Sequence, residues 1–198
     1  MNFARRCFAG PLSIALGCVV IAVAPAASAC GFEDPSSIAM RRGFLNFAFP
    51  ESLHVGTAVW QAQLAGKLPR DPLAQRAELT PDARGALRMM QASAALRAMA
   101  ARLAPEGGDG AQNVSVVLLS SVMWSRFEPQ GNGASANVHV AGPEQGDVVL
   151  VTDTPAIRAL ADGSMDFAEA AALGLVRLYG DPIKVEAARR WLGGAARL

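Results

Sequence analysis

Two histidines, three cysteines and a scatter of carboxylates are all that this 198-residue chain offers for bond-making chemistry. His54 follows Glu51 by three residues, which puts both on one side of a helix where the carboxylate can orient the ring. That spacing serves an ordinary surface pair as readily as a catalytic base. His139 stands between Val138 and Val140, on the polar face of a strand whose valines point inward. There is no nucleophile elbow, glycine-rich phosphate loop or paired-cysteine motif. Gly107-Gly108-Asp109-Gly110 has no strand before it to make a phosphate cradle, and Glu33 and Asp34 read as a polar start to a mature chain rather than as metal ligands. An enzyme would rest only on His54, His139 and scattered carboxylates. The chain therefore reads as a non-enzyme, with no catalytic residue, metal site or cofactor.

The cysteines belong to an address. Arg5 and Arg6 make a basic start, residues 12–23 an apolar core, and Ala27-Ser28-Ala29 a small-residue cleavage site, the three-part pattern of a secretory signal peptide over residues 1–29. Pro11 and Pro25 bracket fewer than the roughly 20 apolar residues that a spanning helix needs. Arg5-Arg6-Cys7-Phe8 resembles the twin-arginine export motif, so both export routes stay open. Cys7 and Cys18 leave with the signal, and the mature chain keeps Cys30. Ala27-Ser28-Ala29-Cys30 resembles a bacterial lipobox, which implies acylation of Cys30 and an anchor in the outer membrane. A free N-terminal Cys30 and an intermolecular disulfide are the alternatives. The expected location is the periplasm or the outer membrane, with the membrane reached only through that anchor.

About 170 residues then remain, enough for one domain with a single core. A formal charge of +1, without charged runs, leaves no electrostatic footprint for nucleic acid. Residues 30–105 read as helical. Pro35-Ser36-Ser37 caps one helix through Met40 and Leu45, and Pro50-Glu51-Ser52 starts another, closed by Gly66. Phe44, Phe47, Phe49 and Trp60 make this the most aromatic part of the chain. Core packing is the plainer expectation for them, and a surface for an envelope protein partner the sharper one. Thr80-Pro81-Asp82 opens the longest helix, carried to Leu103. Leu87, Met90 and Ala94 lie on one side of it, Met89, Leu96, Met99 and Leu103 on nearly the opposite side, and Arg84, Arg88 and Arg102 between. Two such stripes predict two apolar partners, or one partner and one cavity wall.

Residues 113–198 alternate. Residues 114–127, a turn at 130–133 and residues 135–140 predict a hairpin, and Val148 opens a further strand. Thr154 and Pro155 predict an N-cap and first helical residue, Gly163 a stop, and Asp166 with Glu169 a capping pair for a second short helix. A strand at 175–179 and a last helix from Asp181-Pro182, with Ile183, Ala187 and Trp191 every four residues, complete the chain. The expected class is α+β: a small, antiparallel-dominated sheet of about four strands covered by helices, in one compact domain with a helical N-terminal half.

Residues 116–127, the returning strand, Gly146-Asp147-Val148, Leu160-Ala161-Asp162-Gly163, Ala170, Gly174, Leu178-Tyr179-Gly180-Asp181 and the closing helix together resemble the sterol-carrier-protein-2 family, over roughly residues 113–192. The resemblance implies an apolar tunnel between sheet and helices and a lipid or other apolar ligand. Met90, Met99, Trp124 and Trp191 are the candidate lining residues, and Ala94→Phe is a substitution that would fill the cavity. The expected function is an exported binding module for an apolar small molecule or lipid. The alternative is a structural or interaction lipoprotein with a filled core.

Overall fold

The computed structural model describes residues 35–73, 76, 78–103, 112–131 and 133–194. The leader, Cys30, Glu33, Asp34 and residues 107–110 lie outside them. Six helices and five strands follow in order: α1 (Pro35–Ala48), α2 (Ser52–Leu64), α3 (Pro81–Arg102), β1 (Val114–Leu118), β2 (Met123–Gln130), β3 (Gly133–Val138), β4 (Val148–Thr152), α4 (Thr154–Asp162), α5 (Phe167–Ala172), β5 (Arg177–Tyr179) and α6 (Pro182–Gly194).

The class is α+β, with one mixed five-stranded sheet in the order β3-β2-β1-β4-β5. The extra strand comes from residues 114–127, which are two strands and not one. Val122 takes φ 49 between them, and β1 pairs antiparallel with β2, Leu118 facing Met123. β4 runs parallel to β1, where the sequence predicts an antiparallel neighbour, while β2–β3 and β4–β5 are antiparallel. Both strands of the parallel pair are buried along their whole length, as a parallel pair covered on both faces must be.

The helix ends show which local signals act. Thr80 Oγ1 accepts from the Ala83 amide and caps α3, and Asp166 accepts from the Glu169 amide and caps α5. The cap of α4 is Asp153 rather than Thr154. Its carboxylate takes the Thr154 amide at 2.8 Å, and the carboxylate, being the stronger acceptor, displaces the expected hydroxyl. Gly163 ends α4 at φ 77.

Alternation divides the sheet. Ser115 and Val117, Trp124 and Arg126, Val149 and Val151, and Arg177 and Tyr179 are neighbours across the strands and share one face. Phe49, at the junction of α1 and α2, packs on that face against Trp124 and Tyr179, with ring centroids 6.1 and 5.0 Å apart. α2 packs on β4, and α3 lies against β3 and α4. Leu45, Val55 and Val59 from the N-terminal helices belong to the same buried cluster as Val116, Leu150 and Trp191.

Three amphipathic readings change. In α3 only the Leu96 and Met99 side is buried; Met90 and Ala94 face water, because the helix has its partners along one flank. Ile183 of α6 is exposed, and Ala188, Trp191 and Leu192 carry its packing. Of the four N-terminal aromatics, only Phe49 packs against the core. Phe44, Phe47 and Trp60 are exposed, Phe47 by 87%.

Candidate functional site

A groove with a largely apolar wall lies between α1 and the turn-side end of β2 and encloses about 470 Å³. From α1 come Phe44, Leu45 and Ala48, with Arg41 at its edge, and Phe49 joins them from the α1–α2 junction. Val122, Met123 and Trp124 supply the floor where the sheet begins, and residues 139–141 with Pro143 the far wall. Ten of these twelve side chains are apolar. Among the described residues, the two non-glycine positions with positive φ are Val122 and His139, and both line this groove. A β-branched valine at φ 49 is strained, since its two γ-methyls crowd the backbone in the left-handed region. Strain of that kind persists only where its surroundings over-determine it.

The far wall is held from beneath by a buried ion pair, Arg126 with Asp147, and by Glu144 at its exposed rim. Arg126, on the same sheet face as Trp124, donates from Nε to Asp147 Oδ2 at 3.0 Å and also pairs with Glu144. Asp147 Oδ2 further accepts from Ser115 Oγ at 2.5 Å and from the Glu144 amide at 3.1 Å. Burial pulls the Arg126 guanidinium down, but its two carboxylate partners outweigh that and leave it above its ordinary value. The cluster pins the loop from His139 to Asp147, and with it one side of the groove.

His139 is not on a strand face. It follows the last residue of β3 in a left-handed conformation, φ 67, and its Nε2 lies 3.2 Å from Ser93 Oγ on α3. On its other side is a wider depression of about 870 Å³, walled by Met89, Met90, Ser93, Ala94, Arg97 and Val138. His54 is exposed on α2, and its expected partner Glu51 is engaged elsewhere, with Arg177 Nε at 2.5 Å. The Tyr179 hydroxyl accepts from the Glu51 amide at 3.2 Å; burial, with Glu51 close by, keeps the phenol above its ordinary range. Among the described residues, no three His, Cys, Asp or Glu side chains gather as metal ligands, and no helix is long and apolar enough to cross a membrane.

The four candidate lining residues separate. Trp124 is on the floor of the groove, and Met90 is 67% exposed in the depression beyond His139. Met99 and Trp191 are buried in the core. Phe44 and Phe49 line the groove, whereas Phe47 and Trp60 do not. Sequence reasoning did not reach Arg41 on α1, nor Val122, Val140, Ala141 and Pro143, which sit in two turns and carry no periodic signal.

No protein-family model and no curated protein matches the chain. Solved structures do align to part of it. Sterol Carrier Protein 2 Like 2 from Aedes aegypti aligns over 51% of this chain and 95% of its own, at 15% identity and a TM-score of 0.37. A conserved protein from Thermus thermophilus, proposed as a sterol carrier protein, aligns over 54% and 85%, at 18% and 0.32. The stereoselective inverting sec-alkylsulfatase Pisa1 from Pseudomonas sp. aligns over 57% of this chain, at 18% and 0.33, and this chain spans 16% of that enzyme. Sterol-carrier-type domain structures thus align with about half of the chain, and the other half has no counterpart in them.

Proposed function

We propose that this chain is a non-catalytic binding module for an apolar small molecule or lipid tail, held in the groove between α1 and β2. The observation that carries this is the groove itself: about 470 Å³, within the usual range of ligand sites, with ten apolar walls of twelve. Arg41 and His139 are its two polar side chains, so a ligand with one polar end and an apolar body fits it. The leader-like pattern and Cys30 support an exported protein of the periplasm or outer membrane as the setting.

The test uses the Trp60→Phe, Trp191→Phe double variant, in which Trp124 is the sole indole. Titration with a brominated fatty acid should quench its emission saturably, and Ala141→Phe, which fills the groove from an exposed loop position, should weaken that binding about tenfold. Ala94→Phe serves as the contrast, because Ala94 belongs to the depression beyond His139. A larger loss from Ala94→Phe would move the site across His139, and the absence of saturable quenching would end the proposal.

A second reading has its own observation. Met40, Phe44 and Phe47 recur along α1, and Leu53, Trp60 and Leu64 along α2, all exposed, while Val55, Val59 and Ala62 fill the other side of α2. A helix apolar on both sides is usually covered on both. Such a surface suits a structural or interaction role, which capture of an envelope partner, lost on Trp60→Ser and Phe47→Ser, would reveal.

A further inference from the structure

A second cavity, of about 300 Å³, has a different chemistry from the groove. Arg42, Arg70, Arg88 and Arg158 line it, brought together from α1, the segment after α2, α3 and α4. Two carboxylates stand against these four guanidinium groups. Asp71 is occupied by Arg88, whose Nε and Nη2 both approach Asp71 Oδ2 at 2.8 Å. Asp153 is buried and accepts from Ser120 Oγ at 2.5 Å and from the Thr154 amide. Arg42 donates to the Ser120 carbonyl at 2.7 Å.

The remaining two guanidinium groups are unspent. Arg70 and Arg158 make no hydrogen bond or ion pair among the described residues, and Arg158 is half-buried. The Arg158 stem is packed against the wall while its guanidinium nitrogens stay open to the cavity, so both free guanidinium groups are available to an anion that enters it. Ser121 adds a second sign: its hydroxyl oxygen is buried on the same wall and has no partner. The amino end of α4 takes no part, because Asp153 already accepts the Thr154 amide through its side chain and the Ala156 and Ile157 amides through its carbonyl.

We infer that this cavity binds a phosphate-type oxyanion, with Arg70 and Arg158 as its direct ligands and the Ser121 hydroxyl as a third donor. Planar guanidinium groups meet such an anion two N–H groups at a time, which is the geometry that favours arginine over lysine at phosphate sites. Val59, Pro69 and Pro155 form an apolar wall, so the phosphate group arrives free or at the end of a short carbon chain.

The experiment is calorimetric titration of the purified protein, expressed as the full chain, with inorganic phosphate, with hexyl phosphate and with hexanol, at constant ionic strength. Saturable binding of inorganic phosphate supports a free anion as ligand, and binding of hexyl phosphate alone supports a phosphorylated amphiphile. In either case Arg158→Gln and Arg70→Gln should each weaken binding about tenfold or more, the loss of charge-assisted hydrogen bonds. Arg190→Gln, an exposed change on α6, should leave it unaltered. Since Arg70 is exposed and unpartnered, its variant keeps the test open should the Arg158 variant not fold. No binding of either phosphate compound at millimolar concentration, hexanol binding as well as hexyl phosphate, or equal losses in all three variants would each overturn the inference.

Discussion

Arg126 shows how one buried residue governs a surface. Its side chain and that of Asp147 are 6% and 5% exposed, so neither can turn to water when the other is removed. Arg126→Met leaves Asp147 with Ser115 and the Glu144 amide as its remaining donors, and it should cost about 3 kcal/mol in chemical denaturation. Ser115→Ala, which removes one neutral donor, should cost about 1 kcal/mol. Equal costs would mean that the ion pair carries no particular weight. Asp153 makes the complementary case. Burial pushes its carboxyl above the ordinary aspartate value, against hydrogen bonds from Ser120 and Thr154 and the charge of Arg42. A raised folded-state pKa means that the folded chain holds the proton more tightly than the unfolded one. The contribution of Asp153 is therefore largest in acid and declines as pH rises from about 4 through the raised value. Asp153→Asn keeps an oxygen for both donors and removes the charge, so its stability relative to the wild type should increase across that window and then level off. Urea midpoints at stepped pH would show it, and a difference that does not vary with pH would place the cost of Asp153 elsewhere.

At the level of elements, the stop of α4 at Gly163 is fixed twice. Its φ of 77 favours glycine, and an added Cβ would lie 2.9 Å from Arg102 Nη1, whose guanidinium donates to the Ala161 carbonyl. Gly163→Ala should cost about 1–2 kcal/mol. Gly193→Ala, where a Cβ meets nothing within 4 Å inside α6, should be neutral or stabilise by up to about 1 kcal/mol. Thermal unfolding of the two variants separates strain from mere loss of flexibility. Caps and stops of this kind act within a few residues, so Thr80, Gly163, Asp166 and Asp181 were legible in the sequence. Pairing partners were not. Nothing local in residues 114–127 announces that Val122 turns the chain back, because a valine at positive φ breaks the rule by which turns are recognised. The parallel pairing of β1 with β4 is likewise decided by the packing of both faces and not by the strands' own pattern. The groove was visible only through Trp124 and the phenylalanines. The four arginines of the second cavity, spread from position 42 to position 158, form no run that a sequence can display.

Over the whole molecule, the question is whether the N-terminal helices are an accessory or part of the fold. Leu45, Val55 and Val59 are buried in the common core, and Phe49 covers Trp124 and Tyr179 on the sheet. Burial of side chains of this size contributes about 1.5–3 kcal/mol each, so the first three alone supply roughly 5–9 kcal/mol, comparable with the whole stability of an ordinary domain at about 5–15 kcal/mol. Glu51 adds a cross-link to Arg177 on β5. Removing residues 31–66 would bare one face of a sheet whose central strands are buried on both sides, and would leave Arg177 and Tyr179 without Glu51 and Phe49. The truncated chain is therefore expected to lose its near-ultraviolet dichroism and its single cooperative unfolding transition. Phe47→Ser, a change of an equally large aromatic in the same segment, should alter stability by no more than about 0.5 kcal/mol, since that ring is 87% exposed. If the truncated chain kept a sharp transition, the sheet would be the folding unit and the N-terminal helices a cover added to it. The groove would then be a gap between two separable parts, and its affinity for an apolar ligand would follow the docking of α1 rather than the stability of the sheet.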